Sequence, residues 1–193
     1  DKEVAQFGAD TVRLYLAFMA SYEQGGPWDP KGINGVFRFL NRVFKLYQKK
    51  ADKNPVANVE RALHAATKKI GADLDSLSFN TCVSEFMKLI NIVEEVGTTL
   101  TTAQRERFLL LLAPMAPHLA EELWQGALKK KTSIHKQEWP AFTPALLVLD
   151  EVNMPIQVNG KLRGIITIPT KTGQEEAMRV AMGDPNIAKH IEG

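Results

Sequence analysis

Asp29-Pro30-Lys31-Gly32-Ile33-Asn34-Gly35-Val36-Phe37-Arg38-Phe39-Leu40-Asn41-Arg42-Val43-Phe44-Lys45-Leu46-Tyr47-Gln48-Lys49 is the stretch that decides the fold class. Asp29 is placed to accept from the free amides of a helix start, and Pro30 suits the first helical position, where its missing N–H costs nothing. Beyond them Ile33, Val36, Phe37, Leu40, Val43, Phe44 and Tyr47 recur at helical spacing and form one apolar stripe. At about 100° per residue, Arg38, Arg42, Lys45 and Lys49 fall in one narrow sector almost opposite that stripe. The stretch reads as a long helix with one packing face and one purely basic face.

The flanking sequence repeats the helical pattern. Toward the N-terminus, Val12, Tyr15, Leu16 and Met19 predict a helix over 10–20, with Asp10 as its cap and Gln24-Gly25-Gly26-Pro27 as its end. Toward the C-terminus, Asn54-Pro55 breaks the chain. Val59, Leu63, Ala66 and Ile70 then give a helix to about Leu74, punctuated by Asp75 and Ser76. Cys82 or Val83, Phe86, Leu89, Ile90 and Val93 give another over 79–96, with Gly97 as its C-cap. Thr102 precedes Arg105-Glu106-Arg107 and the all-apolar Phe108 to Ala113, which Pro114 stops. Pro117 opens a last helix whose apolar face is Leu119, Leu123, Trp124, Ala127 and Leu128, followed by Lys129, Lys130 and Lys131 where a helix end favours positive charge. Four to five helices with short connections predict an antiparallel bundle.

After Lys131 the period is lost, and Trp139-Pro140 and Pro144 mark a wrapping segment with a boundary near residue 145. Pro155 to Val158 and Lys161 to Ile168 are β-rich runs around Asn159-Gly160, a two-residue hairpin turn in which both residues tolerate positive φ. Thr172 and Glu175 predict a capping box for a helix through Ala177, Val180 and Ala181 to Gly183, and Asp184-Pro185 a further short helix. A lone hairpin is marginal in water, so this module reads as truncated after Gly193. Asp1 to Gly8 carries neither an initiator methionine nor a signal peptide, which predicts a piece of a longer chain. The expected fold is therefore mainly α: an antiparallel helical bundle followed by a small, truncated α+β module with a β-hairpin.

Composition bounds the function. With 45% hydrophobic and 24% charged residues the chain can bury a core, and 24 basic against 22 acidic residues leave only +2, too little to prove a polyanionic partner. A single cysteine excludes a disulfide framework and a cysteine-pair zinc site, and points to a reducing, cytoplasmic or organellar, compartment. No apolar run approaches the roughly 20 residues of a membrane span. His64, His118, His135 and His190 lack metal-ligand spacing, and no phosphate-cradling glycine loop is present. Glu94-Glu95, Glu121-Glu122 and Glu175-Glu176 read as solvated pairs, Cys82 as a small core residue, Trp124 as core and Trp28 as the tryptophan freest to stack on a base.

The basic sector is open to two readings: a solvated outer face, or a site where a polyanion relieves the repulsion among four like charges. On the second, Arg38 and Arg42 could fork onto phosphate oxygens while Lys45 and Lys49 act as point charges. Lys129 to Lys131, and Lys161 with Arg163 beside the hairpin turn, are further candidate phosphate contacts.

Phe7-Gly8-Ala9-Asp10-Thr11-Val12-Arg13-Leu14-Tyr15-Leu16 resembles the segment after the Lys-Met-Ser-Lys-Ser loop of class I aminoacyl-tRNA synthetases, and Leu112-Ala113-Pro114-Met115-Ala116-Pro117-His118-Leu119-Ala120-Glu121-Glu122-Leu123-Trp124 resembles a helix pair of their anticodon-binding bundle. Both are common to the leucyl, isoleucyl and valyl subgroups. Gly35 to Val43, and above all Gln157-Val158-Asn159-Gly160-Lys161-Leu162-Arg163-Gly164, are similar to the leucyl subgroup.

The resemblance implies residues 1–26 as a stem-contact region following a catalytic domain, 27–145 as the anticodon-binding bundle with its wrapping segment, and 146–193 as a partial C-terminal module. It implies a ligase that joins leucine to its tRNA through leucyl-adenylate, using ATP with Mg2+, of which this stretch binds and positions leucine tRNA beside the remainder of the synthetase. The expected tRNA contacts are Arg38, Arg42, Lys45, Lys49, Lys161 and Arg163. No catalytic, cofactor or metal residue is expected here, because the nucleotide-binding motifs are absent. His118 and Trp124 are assigned to packing and Asp10 to capping. The competing readings are an isoleucyl- or valyl-type fragment, a free-standing helical interaction module, and a small enzyme with an unrecognised site.

Overall fold

The computed structural model describes residues 2–21, 23–148 and 151–190. They form two compact units, Asp1–Thr143 and Pro144–Gly193. Gly193, where the module was expected to end, lies outside the described residues.

The first unit is helical: α1 (Lys2–Phe7), α2 (Ala9–Phe18), α3 (Ile33–Gln48), α4 (Ala57–Asp75), α5 (Phe79–Glu95), α6 (Thr102–Leu112) and α7 (Pro117–Glu122). One core joins them, from Leu14 through Val36, Leu63, Phe86 and Phe108 to Trp124. The α5 C-terminus closes as expected. Gly97 takes φ 69°, its amide donates to the Glu94 carbonyl and the next amide, of Thr98, to that of Val93.

Several expectations change on contact with tertiary structure. The helix α3 begins at Ile33, not Pro30. Residues 29–32 instead form a turn in which the Lys31 amide donates to the Asp29 carboxylate at 2.8 Å, and the Tyr15 hydroxyl takes the Asp29 carbonyl at 2.8 Å. The buried face of α3 is also rotated: Phe39 and Leu46 are buried while Phe37 and Phe44 stand 37% and 43% exposed. Hydrophobicity alone could not choose between these sectors; the neighbours do, with Tyr47 meeting Phe108 in the core and Phe37 left edge-on against Phe7 at 5.6 Å. The helix after Pro117 is α-helical only to Glu122. A π-helical turn follows over Leu123–Ala127, with the Leu128 amide reaching back to the Leu123 carbonyl.

Asp10 is a cap, but of another helix. It lies in the first turn of α2, and its carboxylate accepts from the amides of His118 (3.4 Å) and Leu119 (2.7 Å) at the start of α7. Pro117 has no N–H to satisfy, so these bonds settle the first turn of α7, whose own N-cap residue, Ala116, has no side chain that could. Arg13 donates to the Pro114 carbonyl at 3.0 Å, so one face of α2 clasps the whole 114–119 corner.

Arg105, in the charged run before the apolar Phe108 to Ala113, is 4% exposed. Its guanidinium donates to the carbonyls of Leu46, Tyr47 and Lys49 at the end of α3 and to that of Leu100, while the Tyr47 hydroxyl returns a bond to the Arg105 carbonyl at 2.7 Å. The α3 carbonyls are among those that the end of a helix leaves short of donors, and only that of Leu46 has another, the Lys49 amide. The turn before α6 is closed by a capping box, Thr101 with Gln104, that was not foreseen.

The second unit holds β1 (Glu151–Val158), β2 (Lys161–Pro169), α8 (Gln174–Gly183) and α9 (Pro185–Ala188). The strands are antiparallel, and Asn159 and Gly160 both have positive φ (53° and 75°), the two-residue turn expected. Ile166, Ile168, Ala177, Ala181 and Ile187 form its small core. Ile187 sits so close to Gly164 that a Cβ there would meet it at 2.9 Å, which excludes any larger residue without repacking. The Thr172–Glu175 capping box does not form: α8 starts after Gly173 without a side-chain cap, and the Thr172 amide is spent on the Pro169 carbonyl. Asp184 does cap α9, accepting from Asn186 at 2.8 Å.

Replacing Arg105 by Ala removes its bonds to four backbone carbonyls, of which those of Leu46 and Leu100 keep a backbone donor, together with a buried side chain, and is expected to cost about 3 kcal/mol. Asp10→Ala, losing one cap, is expected to cost about 1 kcal/mol. Urea unfolding followed by circular dichroism measures both, and an Arg105→Ala midpoint no lower than that of Asp10→Ala would contradict the ranking.

Candidate nucleic-acid interface

The basic sector of α3 faces away from the core because Val36, Leu40, Val43 and Tyr47 occupy the opposite side. Arg38, Lys45 and Lys49 are exposed and Arg42 is half-buried. Arg38 and Lys45 make no hydrogen bond or ion pair with any of the described residues. Lys49 lies past the last turn, where the backbone leaves the helix in an extended conformation.

Arg42 differs from the other three. Its Nε donates to Glu94 Oε1 at 3.0 Å, and its Nη2 donates to Glu94 Oε2 at 2.6 Å and to Asn91 Oδ1 at 2.7 Å. The fork expected to meet a phosphate is thus occupied by a carboxylate from α5. The guanidinium beside Glu94 holds that carboxyl below the usual carboxylate range, with the Lys49 charge adding to the effect. Arg42, Lys45, Lys49, Glu94, Thr98 and Thr99 line a groove of about 430 Å³ between α3 and the end of α5. Its Thr98–Thr99 wall is fixed by Asp52, whose carboxylate accepts from the Thr98 hydroxyl and the Thr99 amide and is held below its ordinary range by those bonds.

Glu94 and Asn91 are the residues sequence reasoning missed. Helical spacing does put them on one edge of α5, but a pairing with a residue 52 positions earlier has no local signature. Of the remaining candidates, Lys161 is exposed at the start of β2. Arg163 is the extra residue of a β-bulge, since the register passes from Gln157↔Leu162 to Ile156↔Gly164. It is half-buried, with its Nε lacking a hydrogen-bond partner. Lys130 is engaged by Glu106 at 2.7 Å and lies over the Trp124 ring at 5.3 Å, while Lys129 and Lys131 are exposed.

Trp124 is core and donates to the Thr132 carbonyl, whereas Trp28 is 40% exposed and edge-on to Tyr15. His118 is not a packing residue: its side chain is 78% exposed, tethered by Nδ1 to Asp10 at 2.7 Å. His64 is buried, joined to Glu60 at 3.1 Å and accepting from the Thr143 amide at 2.9 Å. Glu121 accepts from the Ser133 hydroxyl and the Ile134 amide, and Glu176 pairs with Arg179, so these carboxylates serve structure. Burial pushes the Cys82 thiol up to about 11, which keeps it protonated and inert. Among the described residues no cluster of three His, Cys, Asp or Glu is placed to hold a metal ion.

Because the folded-state carboxyl of Glu94 titrates below its unfolded value, the stability its pair with Arg42 contributes is present above the ordinary carboxylate range and fades as pH falls through the depressed value. Both side chains are more than a third exposed to solvent, Arg42 at 35% and Glu94 at 50%, so the coupling is expected to be below about 1 kcal/mol. A double-mutant cycle of Arg42→Ala and Glu94→Ala on the unfolding free energy should give this coupling at pH 7 and none near pH 2; a coupling that grew on acidification would be inconsistent.

A family model described as the anticodon-binding domain of tRNA ligase matches residues 57–178. Leucine–tRNA ligases from Herpetosiphon aurantiacus and Deinococcus radiodurans are 38% and 39% identical to it; the matches cover 100% of this chain and 25% of each relative. That from Chlorobium phaeobacteroides is 40% identical with the same coverage. The chain thus spans about a quarter of the length of the curated relatives it matches. A crystal structure of an Agrobacterium radiobacter K84 LeuRS–tRNA–LeuAMS ternary complex superposes with a TM-score of 0.75 at 28% identity, covering 98% of this chain and 27% of the other. By the family model and by these relatives together, the chain belongs to the anticodon-binding domains of tRNA ligases.

Proposed function

We propose that the chain is the tRNA-binding part of a leucine–tRNA ligase, and that its bundle positions leucine tRNA by gripping phosphates rather than by reading bases. The observation that carries this reading is similarity over the whole of this chain to a quarter of the length of leucine–tRNA ligases, at close to 40% identity, joined to a sector of α3 whose cations Arg38, Lys45 and Lys49 stand in solvent. Phosphate contacts fix register and orientation without needing a pocket for a base. Lys161 and Arg163 on the hairpin supply a second set of contacts in the same role.

In the whole ligase the attachment of leucine through leucyl-adenylate consumes ATP with Mg2+. This stretch takes no cofactor of its own, and its partners are the tRNA and the remainder of the synthetase. A cytoplasmic setting suits that role. No helix among the described residues is long and apolar enough to cross a membrane.

Titration of the chain with leucine tRNA and a non-cognate tRNA at two salt concentrations tests the reading. Binding should weaken steeply with salt, through release of counterions from each neutralised phosphate, and should favour leucine tRNA. Lys45→Glu with Lys49→Glu should weaken binding at least about tenfold and reduce the salt slope by about 2. Salt-indifferent binding, or a slope unchanged by the double substitution, would reject the phosphate grip.

A further inference from the structure

The basic groove contains an acid at its centre, and that acid determines what Arg42 can do. Arginine carries five N–H donors in a fixed fork. Three of them are spoken for: Nε and one Nη2 hydrogen by Glu94, the other Nη2 hydrogen by Asn91. Only the Nη1 amino group remains, and Arg42 lines the groove together with Lys45 and Lys49. Glu94 and Asn91 stand three residues apart on α5, a continuous 17-residue helix whose adjoining Ile90 and Val93 are in the core. The bonds therefore anchor the guanidinium to a rigid element.

We propose that Glu94, though negatively charged, is a positioning residue for RNA binding: with Asn91 it holds Arg42 so that its free Nη1 group faces the groove where a backbone phosphate binds. The inference rests on the tRNA-binding reading above. Two effects oppose each other. Glu94 repels a phosphate in the groove, but across water at about 8 Å, a separation near the Debye length at physiological salt, this amounts to less than about twofold in affinity. Against it stands the rotamer freedom of a long arginine side chain, which an unclamped Arg42 would surrender on each binding event; prepaying most of it is worth about fivefold. The clamp wins at physiological salt. Since the Arg42 bonds hold Glu94 below the usual carboxylate range, the clamp stays ionised throughout the neutral region.

Glu95, the next residue on α5, is exposed and makes no hydrogen bond or ion pair with any of the described residues, so it supplies a control that changes charge alone. The experiment measures binding of leucine tRNA transcript to the 193-residue chain at 0.15 M salt, with thermal midpoints to confirm folding. Glu94→Gln should bind about three- to fivefold more weakly although it makes the protein more positive, whereas Glu95→Gln should bind equally or up to about twofold more tightly. In an Arg42→Met background there is no fork to hold, and Glu94→Gln should then tighten binding.

That reversal of sign separates positioning from a general structural role. Glu94→Gln binding as tightly as Glu95→Gln overturns the proposal, as does an equal weakening in both Arg42 backgrounds. No binding by the unsubstituted chain would overturn the tRNA reading itself and the positioning role with it, which the variants' failure alone would not do.

Discussion

The buried guanidinium of Arg105 is the constraint on which the bundle depends. A charge this deep is costly unless hydrogen bonds take the donors it brings, and here four of the five are taken. Here no buried carboxylate meets it. Backbone carbonyls do, those of Leu46, Tyr47 and Lys49 from the last turn of α3 and that of Leu100 from the approach to α6. A helix end is the negative pole of its dipole, so a cation seated there is favoured twice, by charge and by the orphan carbonyls. Burial pulls the Arg105 pKa down, while Tyr47 and Asp52 offset part of that, and the group stays charged at any pH the fold tolerates. The arrangement fixes where α3 stops and how it is rotated, and so fixes which residues of α3 reach solvent.

That dependence separates what was legible from what was not. Helices α3, α4 and α5 and the Asn159-Gly160 hairpin could be read from the chain because their causes are local: apolar period, a terminating glycine, a turn that needs two positive φ angles. The features misread have causes that lie far away in sequence. Asp10 looks like the cap of its own helix and serves one that begins 107 residues later, because α2 crosses the 114–119 corner with that face. Arg105 has no local signal that separates it from Glu106 and Arg107, yet it is the one buried against the end of α3. Phe37 and Phe44 fit the helical stripe as well as Phe39 does, and only packing against the other helices decides between them.

The candidate site follows the same division. Its cations were readable because they share a helix face, which one helix suffices to define. Their inequality was not. Arg38 and Lys45 are free while Arg42 is held by α5, and no single-helix argument assigns a different condition to positions separated by one turn. The run Glu94-Glu95 reads as a solvated acidic pair, yet its two members differ in kind: one is bonded across the bundle and the other is not.

A grip on phosphates asks little of side-chain shape and much of where the charges stand. From position 38 to position 49 the α3 cations span about 16 Å at the helical rise per residue, a length set by the helix and not by any one rotamer. A flexible lysine at such a position contributes charge without direction, whereas an arginine held at three of its donors contributes both. The α3 face therefore combines mobile charge at Lys45 and Lys49 with one fixed donor at Arg42, and the carboxylate that lowers the total charge of the groove is what makes that donor fixed. Counting charges would rank Glu94 as a defect of the surface; counting degrees of freedom gives it the opposite sign.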